Sequence, residues 1–133
     1  MCLARKILCW PAGVCLMLIE RGTLAYHGNI RHDSTAWEIS LAEKNTYQNG
    51  AYWGTPTGWV CYAIAKTDLP LAQQLAKEYV ADLRINDFRK GPAFGAPYEC
   101  FHPPGFRQNA LYMATVSCPY AAFTFLDSLL NTK

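Results

Sequence analysis

Two acidic residues stand among aromatic and basic neighbours in a way that suits acid–base chemistry. Glu99 lies in Pro97-Tyr98-Glu99-Cys100-Phe101-His102, and Asp33 closes Asn29-Ile30-Arg31-His32-Asp33. Apolar surroundings disfavour the ionised carboxylate and raise its pKa, which fits Glu99 for a general acid. Two carboxyl groups on either side of a bond between sugars divide the acid and base work between them. Arg31 offers a planar fork for the carboxylate of a uronic acid, and His32 can hydrogen-bond a hydroxyl or carry a proton. Each group also has a plainer reading. Glu99 can cap a helix or pair with Arg107, and Arg31 with Asp33 can simply hold a loop. Glu43, Glu78 and Asp82 read as solvated helix faces, and Asp68 as a helix cap.

Groups able to hold a sugar surround these acids. Asn49 can donate to and accept from hydroxyls. Tyr52, Trp53 and Tyr98 offer flat rings to the C–H face of a pyranose, and His102 follows close by. Gly50 and Gly54 permit close backbone approach. Against this, Asn49-Gly50 is also an ordinary turn dipeptide, and Trp53 can serve as an apolar plug.

The run Tyr47-Gln48-Asn49-Gly50-Ala51-Tyr52-Trp53-Gly54-Thr55-Pro56-Thr57-Gly58-Trp59 resembles the aromatic Asn-Gly-Trp segments of six-hairpin glycosidases. There such a loop precedes an inner helix of the toroid. The resemblance extends over about residues 47–123. It implies an all-α fold in which αα-hairpins form part of an (α/α)6 toroid, a carbohydrate substrate, and hydrolysis that mostly inverts. Because the helices read from this sequence supply only part of such a toroid, it also implies a single helical domain, residues 1–133, cut from a larger catalytic one. On that basis little turnover is expected from the chain alone. The alternatives are a catalytically silent carbohydrate-binding fragment and a helical interaction protein with no sugar ligand.

The elements that would position these residues are read as helices joined by long loops. Residues 3–20 read as helical with a break near Trp10-Pro11, and Thr35 to Lys44 has room for a short helix. Thr55-Pro56 supplies a cap and a first helical residue, and the following helix, to about Lys66, is apolar nearly all round, as a helix between neighbours is. Asp68 and Pro70 open a second helix with Leu71, Leu75, Tyr79 and Leu83 at spacing four. The short link makes the pair an αα-hairpin. Residues 89–107 read as a Gly- and Pro-rich loop, and Gln108 to Leu130 as a helix broken at Cys118-Pro119. The tight turn at 66–70 marks one end of this bundle. The loops at 26–54 and 91–106 therefore belong at the other, bringing His27, Arg31, His32, Asn49, Tyr52 and Trp53 toward Tyr98, Glu99 and His102.

Composition narrows the class. The chain has 133 residues, 51% of them hydrophobic and 14% aromatic, with a net charge of +2. That is enough apolar material for a core, and no Lys/Arg stripe points to nucleic acid or a membrane surface. The expected partner is a carbohydrate, with self-association where apolar helix faces are left bare. No cofactor motif occurs, and none of the six cysteines forms a Cys-x-x-Cys pair of the kind that holds zinc. The cysteines in apolar stretches read as buried thiols. Ile7 to Ile19 is too short to span a bilayer and lacks a small-residue cleavage site after it. A signal peptide remains the alternative, and localisation stays open.

Overall fold

A computed structural model of the chain describes residues 25–31 and 38–130, with side chains described as far as Asp127. The helical segment read over 3–20 and the site candidates His32 and Asp33 lie outside the described residues. The order is β1 (Ala25–Tyr26), β2 (Asn29–Arg31), β3 (Tyr52–Trp53), α1 (Thr57–Ala65), α2 (Leu69–Ile85), a 3-10 turn (Phe88–Lys90), β4 (Tyr98–His102), β5 (Phe106–Ala110) and α3 (Ala114–Leu130). The strands form one sheet in the order β1-β2-β3-β4-β5, antiparallel throughout.

This corrects the all-α expectation and, with it, the resemblance to an (α/α)6 toroid. The segments read as loops carry the sheet, and β5 occupies residues assigned to the start of the last helix. Residues 38–44 are bends and turns, where part of a short helix was expected. The αα-hairpin of α1 and α2 does form, but it packs with a sheet instead of further hairpins.

The β1–β2 hairpin turns on two residues, His27 (φ 47°) and Gly28 (φ 73°). Both lie in the left-handed region, as in the turns whose twist matches that of paired strands. Gly28 also presses on α2: a Cβ there would lie 2.5 Å from the Leu75 carbonyl oxygen and 2.6 Å from the Tyr79 nitrogen. Thr57 Oγ1, buried at the start of α1, donates to the Gly28 carbonyl at 2.9 Å. The turn is thereby fixed to both helices. Tyr52 pairs with Phe101, joining the N-terminal strands to the β4–β5 hairpin.

Helix α2 begins as its sequence indicates, with Asp68 Oδ1 accepting from the Leu71 N–H at 3.0 Å and Pro70 in the first turn. Helix α1 differs slightly. Pro56 itself is the capping residue and no side chain bonds there. Thr55 Oγ1 is buried without a hydrogen-bond partner among the described residues. Helix α3 passes through Pro119 without ending.

The core lies where these elements meet: Ile30 from β2, Val60, Cys61 and Ile64 from α1, and Ala72 and Leu75 from α2, with Phe123 of α3 packed against them. Burial of each larger aliphatic side chain contributes about 1.5–3 kcal/mol. Gly58 lets α1 and α3 approach closely, since a Cβ there would sit 2.8 Å from the Pro119 Cα.

Candidate functional site

A cleft of about 480 Å³ opens where the β1–β2 turn, the C-terminal half of α2 and the β4–β5 hairpin converge. Tyr26, His27 and Asn29 line it from the first, Asp82, Leu83 and Asn86 from the second, and Tyr98, Phe101, His102, Phe106 and Arg107 from the third. Its size falls within the range of small-molecule sites, and it combines apolar walls with a few polar groups, as such sites do.

Asp82 is the polar centre. Its side chain is 14% exposed. Asn29 Nδ2 donates to Oδ2 at 3.2 Å, and Asn86 Nδ2 donates to Oδ1 at 3.1 Å. His27 Nδ1 lies 3.6 Å from Oδ1, with its ring about half exposed. Burial raises the Asp82 pKa above the usual carboxylate value, against the opposing pull of Asn29, His27 and Asn86. The helix periodicity that places Asp82 on a solvated face misses the hairpin lying over that face.

Rings line the other walls. Tyr26 stacks on His27 with centroids 4.3 Å apart and meets Phe101 edge-on at 6.1 Å. Arg107 sits over the Tyr98 ring at 5.6 Å. His102 Nδ1 lies 2.7 Å from the Pro103 carbonyl oxygen. A carbonyl only accepts, so Nδ1 carries the proton of this contact and donates it.

The two long segments meet through the pairing of β3 with β4, and this brings some of the sequence-derived candidates together. His27, Tyr98 and His102 line the cleft. Tyr52 lies behind them, buried and stacked on His102 at 5.6 Å. Arg31, Asn49, Trp53 and Glu99 do not line the cleft. Arg31 donates to the Gly50 carbonyl at 3.0 Å and to Asn45 Oδ1 at 3.0 Å, tying the 45–50 loop to β2. Asn49 is 1% exposed and donates to the Ala42 carbonyl at 3.0 Å. Trp53 Nε1 donates to the Tyr47 carbonyl at 3.2 Å. Glu99 is 7% exposed and accepts from Asn109 Nδ2 at 2.5 Å, so its partner is Asn109 and not Arg107. Neither Glu99 nor Trp53 lines the cleft.

Sequence reasoning passed over Tyr26, Asp82, Phe101 and Arg107 as site residues. The useful signal was Tyr26-His27-Gly28-Asn29, a Gly-containing pair between strand-forming residues. Recognised as a hairpin turn, it would have placed Tyr26 and Asn29 opposite one another. Among the described residues no group of three or more His, Cys, Asp or Glu is arranged to hold a metal ion, and no helix is long and apolar enough to cross a membrane.

Together these features define a mixed helix-and-sheet domain with an aromatic cleft at the edge of its helical hairpin. No family model, curated protein or solved structure matches the chain, so the likeness of residues 47–59 to six-hairpin glycosidases is not carried further.

Proposed function

We propose that the chain binds a carbohydrate in this cleft and does not cleave it. The observation that carries this reading is the mixture of rings and hydrogen-bonding side chains in one concavity. Tyr26, Tyr98 and Phe101 supply apolar surface, while Asn29, Asp82, His27 and His102 supply donors and acceptors. Sugars present both kinds of surface, and a site for them needs both. Hydrolysis by paired carboxyl groups needs a second acid across the scissile bond, and Asp82 is the one carboxylate among the described residues lining the cleft.

Calorimetric titration with a panel of soluble oligosaccharides tests the proposal. Tyr26→Ala should weaken the best ligand tenfold or more, a loss of about 1.4 kcal/mol. Trp59→Ala removes a 57% exposed ring outside the cleft and should leave the affinity within twofold. Equal losses in both variants, or no binding to the unmodified chain, would remove the proposal. Sustained release of reducing ends would remove its non-catalytic half.

A further inference from the structure

We propose that Arg107 makes the cleft selective for carboxylated sugars, with uronic-acid residues as the ligand class. This rests on the reading of the cleft as a saccharide site and adds the charge of its ligand. Arg107 extends from β5, opposite Phe101 in the strand register, and lines the cleft. Its guanidinium lies over the Tyr98 ring at 5.6 Å. Such an arrangement steadies a cation in a fixed orientation while leaving its N–H edge free.

Arg107 forms no ion pair with a carboxylate among the described residues. The one acid in the cleft, Asp82, is already engaged by Asn29, Asn86 and His27. The charged group left to meet a ligand is thus a cation with a planar fork. Geometry favours a carboxylate there, because two parallel N–H donors match its two oxygens. Arg31, the other arginine considered for this task, is held by Gly50 and Asn45.

The test compares oligogalacturonate with its carboxyl-reduced counterpart of the same length and linkage, and with a sulfated derivative of the reduced sugar. Affinities are measured for the unmodified chain, Arg107→Gln and Arg107→Lys, with thermal melting to confirm folding. The unmodified chain should prefer the uronate tenfold or more over the reduced sugar. Arg107→Gln should bring that ratio to within twofold of unity, and Arg107→Lys should leave it between the two. A ratio unchanged by Arg107→Gln, or no preference in the unmodified chain, overturns the inference while saccharide binding itself stands. A sulfated sugar bound as tightly as the uronate, with the same dependence on Arg107, overturns the assignment to carboxylates. Failure to bind any of the three overturns the underlying site as well.

Discussion

The Tyr79 hydroxyl donates to the Thr115 carbonyl oxygen, four residues before Pro119 in α3. In a regular helix that carbonyl would accept from the N–H of residue 119, and proline has none. A side chain from α2 therefore supplies the missing donor inside the protein, where Tyr79 is 2% exposed. Burial pushes the phenol pKa far above its usual range, with the charges of Asp82 and Cys118 adding to the shift.

Tyr79→Phe should destabilise the chain by about 1–3 kcal/mol, because it leaves a buried acceptor unpaired. Pro119→Ala restores a backbone donor and should recover part of that loss in the Tyr79→Phe background. Urea denaturation of both single variants and the double variant measures the coupling. Effects that add within about 0.5 kcal/mol would mean the two residues do not share this carbonyl.

Gly28 carries two constraints, its left-handed φ of 73° and its contact with the α2 backbone. Gly28→Ala should cost at least ~2 kcal/mol, since strain and overpacking act together. Gly58→Ala meets Pro119 and Ala122 and should cost ~1–3 kcal/mol through overpacking. Gly105 has nothing within 4 Å of an added Cβ, and its alanine variant should stay within about 0.5 kcal/mol of the parent. Equal melting temperatures for the Gly28 and Gly105 variants would show that the hairpin does not press on α2.

These contacts also show why the helices were legible in the sequence and the sheet was not. The Leu71–Leu75–Tyr79–Leu83 stripe repeats often enough to reveal its period, and Asp68 and Pro70 announce its start. Strands β1, β2 and β3 are two or three residues long, too short for an alternating pattern to register. Strand β5 reads Phe106-Arg107-Gln108-Asn109-Ala110, whose polar residues suit an exposed edge as readily as a helix start. Pro119 looks like a helix break because the donor that compensates for it, Tyr79, lies 36 residues before Thr115 in the sequence. Asp82 becomes a cleft residue only once the hairpin lies over α2, and no spacing along α2 records that. Tyr98 and His102 were legible because they sit in an aromatic, Pro-rich stretch that had to carry more than a connection.

The raised pKa of Asp82 has a definite sign in stability. The folded chain binds a proton there more tightly than the unfolded chain, whose value is near 3.8. The contribution is therefore full below 3.8 and lost as pH rises through the higher native value. Relative to Asp82→Asn, the parent should lose stability as pH climbs above 3.8. Denaturation at a series of pH values checks this. A difference that grows in favour of the parent with rising pH would contradict it.

Cys61 and Cys100 are 1% and 0% exposed, and burial pushes both thiols up to about 12. Since the thiolate is the reacting form, neither should react with iodoacetamide at pH 8 in the folded chain, and both should react in denaturant. Mass spectrometry of tryptic peptides reads the two sites separately. Rapid modification of either in the folded chain would show that it is not buried as described.

The most direct test of the cleft is a map of backbone amide shifts during titration with the tightest-binding oligosaccharide. Saturable perturbations should concentrate at Tyr26, His27, Asp82, Phe101, His102 and Arg107, and Tyr26→Ala should move their midpoint to at least tenfold higher ligand concentration. Perturbations centred on Asn49 and Trp53 would contradict it, as would a spectrum that no saccharide changes.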